Sequence, residues 1–465
     1  MISKRWVGLI VFITLIAGLL QASPVIGQTT SIAMNSSITY QNIGTETAHI
    51  TLLVYPEGET NPITITRPDL PKGASATVNV GSLTSSTGFH GSAVVKSDVP
   101  LAILSTQIPS TSTLKIRPMT AGFSTGSPDI WFLYVNKSTT SLAVQNLMKV
   151  PSNFKFTFFG TGSPVIVNKT NIPAGGSIFL PVTSLTEVPD GFSGVVHVEA
   201  TTIGIPLNGR IVGNHLNVNA DGSLGHATEG VTQLGSKIYM PLALCNTTGA
   251  MNSHIYVFNP DASKSTNVTV TYSSGKTETK TLAPLSRQLF IACDAANATG
   301  FNGSAIFTSN VTDIMAFGYI KGNVLAGSYT GQVVGSNRLA VPFANYSTNY
   351  YSNGQRHRTV ISIMNLGASL ASGAVKVTYY DRNGKLMGTH SLGAIASGKR
   401  VDSNATNASA GAEFGYYSDG SNGGSAIIQG PAGANLMAVA FVKTTIASGK
   451  FSGELYNAIP DLLLP

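Results

Sequence analysis

Gly122-Phe123-Ser124-Thr125-Gly126 has the G-x-S-x-G spacing that presents a serine Oγ as a nucleophile when it sits on a strained turn between a parallel strand and a helix. Here the motif falls in a link between two strand-rich stretches, with no helical periodicity after it. The eight histidines, His49, His90, His197, His215, His226, His254, His357 and His390, form no H-x-H or H-x-x-x-H pair that could grip a metal. Among the 21 acidic residues no Asp or Glu pair recurs where two repeats could build a carboxylate dyad. Asp419-Gly420-Ser421-Asn422 resembles an oxygen-rich calcium turn but lacks the further carboxylates that a shell of about six to eight oxygens needs. The expectation is a chain that is not an enzyme, with no catalytic residue, metal or cofactor.

Lys4 and Arg5 precede an apolar run, Trp6 to Leu20, followed by Ser23-Pro24 and Gly27. That is the order of a secretory signal peptide over 1–27, cleaved after Gly27. A retained membrane anchor is the other reading, although the run is shorter than the roughly 20 residues a bilayer requires. The mature chain contains no second stretch of spanning length. Cys245 and Cys293 are the only cysteines; in an exported protein such a pair reads as a disulfide, since a metal site needs more ligands. The net charge of +7 is spread thinly, without the basic block that tracks phosphates, so nucleic acid is not an expected partner.

Aromatic and polar residues gather in two stretches near the C-terminus. Asn345 to Arg358 carries Tyr346, Tyr350, Tyr351, Arg356 and Arg358; Asp402 to Gly423 carries Phe414, Tyr416 and Tyr417. Flat amphipathic rings beside Asn, Ser and Gly are the composition of adhesive loops, and aromatic faces stack on sugars. The corresponding loops of the preceding repeat begin at Cys245 and Cys293, so a disulfide there would place both expanded loops at one end of the last module. Two readings stand: a binding patch, or loops that cover the end of the last domain or fold against the third repeat. Eleven Asn-x-Ser/Thr triplets, at Asn35, Asn136, Asn168, Asn246, Asn267, Asn297, Asn302, Asn310, Asn345, Asn404 and Asn407, are N-glycosylation sites in a host that performs the reaction and polar turns otherwise.

The elements that must hold these loops repeat. Phe301-Asn302-Gly303-Ser304-Ala305-Ile306-Phe307 has weaker copies beginning at Phe89, Phe192 and Gly423, and the aligned glycines Gly91, Gly194, Gly303 and Gly424 lie 103, 109 and 121 residues apart. Such spacing suits sandwich domains, not solenoid units. Within each repeat one strand alternates strictly: Ile50/Leu52/Val54, Phe154/Phe156/Phe158, Val268/Val270/Tyr272 and Val375/Val377/Tyr379. A preceding strand ends at Asn42, Asn146, Asn259 or Asn365, where an asparagine closes a turn. Short Gly/Ser-rich links permit only a limited hinge. The expected fold is all-β, with four tandem immunoglobulin-like β-sandwich domains in an elongated file: 28–125, 126–234, 235–335 with the disulfide, and 336–465 with the Tyr-rich loops.

With its repeats aligned, the chain resembles secreted bacterial cell-surface proteins built from tandem immunoglobulin-like or fibronectin-like sandwiches. The residues that carry the likeness are Leu339 to Phe343, Ile363-Met364-Asn365, Val375-Lys376-Val377-Thr378-Tyr379-Tyr380, Asn383-Gly384 and Gly300 to Ala305. The resemblance implies a surface or matrix protein. The expectation is a secreted, non-enzymatic, extracellular structural protein acting in adhesion or in self-assembly into a surface layer or filament. Its partners would be other surface proteins, itself or cell-surface glycans. The alternative is a carbohydrate-binding protein that uses the aromatic loops of the fourth repeat.

Overall fold

The computed structural model describes residues 9–15, 33–83, 89–109, 116–204, 209–323, 325–349, 355–411, 413–417, 423–446 and 451–461. Among them there is no α-helix, only two short 3-10 turns at Val80–Ser82 and Val182–Ser184. Every strand ladder is antiparallel, and eight sheets pack as four face-to-face pairs. In each pair one sheet has the same strand order: a two-strand hairpin, then the strand bearing the aligned glycine, then the pair's leading strand. In the second pair this is Val165–Ile172, Ser152–Phe159, Ser193–Thr202 and Asp129–Asn136. The facing sheet ends in a short closing strand: Met119–Ala121, Gly225–Glu229, Ala326–Thr330 and Phe451–Asn457 in turn.

The alternating strands put their apolar sides into these cores as the period of two requires. Phe154, Phe156 and Phe158 fill the second core, and Val268, Val270 and Tyr272 the third. The aligned glycines exist because nothing larger fits. A Cβ on Gly194 would lie 2.1 Å from the carbonyl oxygen of Phe159 and 2.5 Å from the ring of Phe192, and Gly91 is crowded in the same way by Tyr55 and Phe89. In the fourth pair, which has no Phe two residues before its glycine, Phe414 supplies the ring, 2.5 Å from a Cβ built on Gly424.

The turn asparagines are buried clamps. Asn365 donates its amide to the carbonyls of Ala368 and Ile395 (2.7 and 3.0 Å) and accepts from the Gly367 N–H (3.0 Å). Asn42, Asn146 and Asn259 make equivalent bonds around their own turns.

The expected elongated file is overturned, because the first and last sheet pairs touch. Arg338 donates to the carbonyl of Ile43 (2.9 Å), Ser75 donates its N–H to the carbonyl of Arg382 (3.1 Å), and Ile43 and Ala102 pack with Ala340 and Ile427. The four pairs close into a ring, with the closing strands adjacent in cyclic order about its axis. The cause is that the leading strands are apolar on both faces. Ile130 and Phe132 enter the second core while Trp131 and Leu133 pack against Phe258, Met315 and Phe317 of the third pair. Likewise Ile238 and Met240 enter the third core while Tyr239 meets Met364, Leu366 and Met437 of the fourth. Exposing such faces in a rod would leave large apolar patches in water.

Two of the seams add an arginine plug. Arg287 donates to the carbonyls of Gly194 and Leu133 (2.8 and 2.9 Å) and to Ser193 Oγ (2.7 Å). Arg400 donates to the carbonyl of Gly303 (2.8 Å) and to Asn302 Oδ1 (2.8 Å). Each guanidinium thus satisfies the aligned-glycine carbonyl of the preceding sheet pair.

Removing a buried clamp or plug strands several polar groups. Asn365→Ala and Arg287→Ala are each expected to lower unfolding free energy by about 2–4 kcal/mol, and Arg287→Lys, lacking the planar fork, to recover only part of it. Chemical denaturation of the three variants checks this.

Candidate functional site

The two aromatic loops do meet. Tyr346–Ser347 pairs with Glu413–Phe414 in a short antiparallel ladder, and Glu413 Oε1 accepts from the N–H groups of Thr348 and Asn349 (both 3.2 Å). Cys245 and Cys293 are joined in the third sheet pair, with a Cα–Cα distance of 4.9 Å.

The proposed patch residues divide when placed. Tyr346 is half-buried with the Arg358 guanidinium 5.0 Å from its ring, and Arg358 Nε donates to the carbonyl of Ser347 (3.2 Å). Arg356 is half-buried beside them, and Tyr416 is half-buried with its ring 6.1 Å from that of His357. Phe414 is corrected: it is buried, packs edge-on to Tyr379 and caps Gly424, so it belongs to the core. Tyr417 is a strut between loops, because its hydroxyl donates to the carbonyl of Gly423 (2.9 Å) and accepts from the Arg382 N–H (2.7 Å), with the Arg382 guanidinium 4.1 Å from its ring. Tyr350, Tyr351 and the Asp419–Asn422 turn lie outside the described residues.

Two glycosylation positions are also corrected. Asn297 is buried, donates to the carbonyl of Ala292 (2.6 Å) and accepts from Ser274; Asn345 is buried and accepts from Thr359 Oγ1 (3.2 Å). A glycan on either would have to displace core packing. Asn35, Asn168, Asn246, Asn267, Asn302, Asn310 and Asn407 are exposed, and Asn136 and Asn404 partly so. Asn136, Asn246 and Asn345 stand at or just beyond the ends of leading strands, whereas Asn35 lies inside the strand Met34–Asn42. Asn35 therefore does not share the placement of the other three.

A second polar concentration, at the ring axis, carries no recognised sequence motif. A cavity of about 230 Å³ is lined by Ala121 to Thr125, Glu229 to Gln233, Thr330 to Gln332 and Asn457 to Pro460, one segment from each sheet pair. Glu229 Oε1 accepts from Thr330 Oγ1 (3.0 Å) and Asn457 Nδ2 (2.8 Å), so one carboxylate ties three sheet pairs together. Ala121, at the matching place in the first pair, lines the same cavity without a polar side chain to join them. Burial pushes the Glu229 carboxyl up, opposed by these hydrogen bonds. Ser124 lies on the wall of this cavity, and no histidine is among the described residues that line it. The signal that could have exposed the axis is positional: Glu229, Thr330 and Asn457 each precede Gly or Ala at the end of the last strand of a repeat.

Further along the axis, Glu454 is buried with its carboxyl pushed up to about 8 by burial, partly opposed by the charge and backbone N–H of Arg117. His357, bonded to Thr444 Oγ1 (2.8 Å), is held down at about 4 by burial and by Arg117. His215 is held at about 3 by burial alone.

The fold and its seams define an all-β protein of stacked antiparallel sheets closed on itself by interfaces between sheet pairs. No family model matches the chain, and comparison with curated proteins gives no match. Two solved structures are similar at 12% identity. One is a tetra-tandem repeat from the extending region of a large adhesion protein, covering 92% of this chain and 95% of that one at a TM-score of 0.10. The other comes from work on host cell surface retention of a 1.5-MDa bacterial ice-binding adhesin, covering 72% of this chain and 98% of that one at a TM-score of 0.12. At such scores neither superposition describes how the four sheet pairs are arranged.

Native Glu454 keeps a proton that the unfolded chain, near 4.5, has released, so its contribution to stability is full below about 4.5 and is lost as pH rises to about 8. The buried histidines act oppositely: neutral in the fold, they take up protons below about 6.5 only on unfolding, and stability falls as pH drops through that value toward 4. Glu454→Gln, which mimics the protonated carboxyl, should therefore gain stability relative to the parent between about pH 5 and 8 while the acid limb stays unchanged. Thermal unfolding across that range checks it.

Proposed function

We propose that this is an exported, non-enzymatic protein of the cell surface or extracellular space, working by contact in adhesion or in self-assembly into a layer or filament. In this reading residues 1–27 are a removed signal peptide. The four sheet pairs are immunoglobulin-like modules over 28–125, 126–234, 235–335 and 336–465. The observation that supports the reading is where the polar groups at the seams go: half-buried Arg287, Arg400 and Glu229 and buried Asn457 hold sheet pairs to one another, as a contact scaffold requires. The Cys245–Cys293 bond fits an oxidising compartment. Among the described residues no helix is long and apolar enough to cross a membrane.

A second reading rests on the half-buried Tyr346 and Tyr416 beside Arg356 and Arg358. These rings, with Tyr350 and Tyr351 on the same loop, would stack on a surface glycan while the arginines hydrogen-bond to its hydroxyls. The exposed Asn-x-Ser/Thr positions would be glycosylated only in a host with that machinery.

Cell fractionation with electron microscopy of the purified chain tests the first reading: protein on the envelope or in ordered assemblies is expected, and a protein confined to the cell interior would reject it. Replacing Tyr346, Tyr350, Tyr351 and Tyr416 with Ser is expected to weaken cell or glycan binding at least about tenfold while leaving the unfolding temperature within a few degrees. Unchanged binding would discard the patch.

A further inference from the structure

In the second, third and fourth sheet pairs the strand carrying the aligned glycine is flanked by a leading strand from the same repeat. Ser193–Thr202 pairs with Asp129–Asn136, Phe301–Ser309 with Lys237–Cys245, and Gly424–Gln429 with Arg338–Ala344. In the first pair that place is taken by Leu9–Leu15, which runs antiparallel to Gly91–Ser97 from Leu9↔Ser97 to Leu15↔Gly91. It also lies beside Thr140–Asn146 and Ile211–Val218 of the second pair, as the leading strand of each later pair lies against the next sheet pair in the ring. Leu9–Leu15 falls within the apolar run of the signal peptide. Only residues 28–33 separate the end of that signal from the strand Met34–Asn42, which already belongs to the facing sheet.

We propose that export opens a strand-accepting groove in the first sheet pair, and that its occupant is an extended, uncharged strand, apolar on both faces, donated by another polypeptide. The inference rests on the signal-peptide reading. Losing Leu9–Leu15 leaves the N–H and C=O groups of Gly91–Ser97 unpaired along one edge, directly over the core residues Ala93 and Val95. The groove's far wall is the apolar face of the second pair, including Ala143 and Leu216. An open edge above an exposed core is the condition for strand addition: backbone bonds provide affinity, and the alternating pockets read the side chains. The segment seated there in the full chain, Leu-Ile-Val-Phe-Ile-Thr-Leu, shows the chemistry that fits, seven residues without a charge or a proline.

The test uses the exported chain. Intact mass comes first: a chain beginning at residue 28 is expected, and one retaining residues 1–27 would overturn both the signal reading and the proposal. With residues 1–27 absent, Lys96→Cys provides a single free thiol, because both native cysteines are bonded. The probe is a synthetic peptide of residues 9–15 flanked by lysines and carrying Ile10→Cys, the position opposite Lys96. About tenfold more mixed disulfide is expected than with Thr14→Cys, which lies well beyond disulfide reach in this register. A rise in unfolding temperature on adding the unmodified peptide is also expected, with none from the peptide carrying Val11→Pro. Equal trapping at both positions, or no thermal shift, would overturn the groove while leaving the signal reading intact. Oligomers of the exported chain that the peptide dissolves would identify the donor as a second copy; a monomer that still takes the peptide would identify it as another protein.

Discussion

Trp131 and Leu133 stand on one face of a strand whose other face, Ile130 and Phe132, fills the core of its own sheet pair. That double burial is the constraint on which the architecture depends. A sandwich with one solvated face per sheet can be strung in a rod. A sandwich whose leading strand is apolar on both sides must find a second neighbour. The third and fourth sheet pairs meet the same demand through Tyr239 and Ala340, and geometry then leaves the chain one economical solution, in which the last pair closes on the first.

Closure brings polar groups to places where water is scarce, and the chain answers with groups that satisfy them across the seams. Arg287 and Arg400 bond to carbonyls at the aligned glycines, where close packing forbids a side chain that could do the work locally. Glu229 gathers Thr330 and Asn457 at the axis. These are costly groups to bury alone and favourable ones to bury in company. Each such seam is tied by several hydrogen bonds as well as by apolar packing.

Much of this could be read from the residues. Period-two alternation in Phe154/Phe156/Phe158 and its counterparts placed the core strands, and the recurrent asparagines placed the turns, because both signals are local. The ring could not be read from them. The evidence for it, continuous apolar runs such as Ile130 to Tyr134 and Ile238 to Leu244, looks the same as a strand buried inside a single sandwich, and the partner surfaces lie about a hundred residues away. Phe414 shows the same limit at a site: as a sequence it belongs with an aromatic loop, but in space it replaces the phenylalanine that precedes the aligned glycine elsewhere. Tyr417 has the residue type of the patch, yet in the fold it is a hydrogen-bonded strut. Leu9–Leu15 reads by composition as part of an export signal, and its place as the leading strand beside Gly91–Ser97 is visible only in the fold.

Small-angle X-ray scattering of the purified chain in dilute solution addresses ring closure most directly. Four modules packed into one body of 465 residues should give a radius of gyration of about 23 Å, with a pair-distance distribution that is single-peaked and close to symmetric. Four modules of about 100 residues in file would give roughly 40 Å and a long tail, and that result would contradict the closed arrangement.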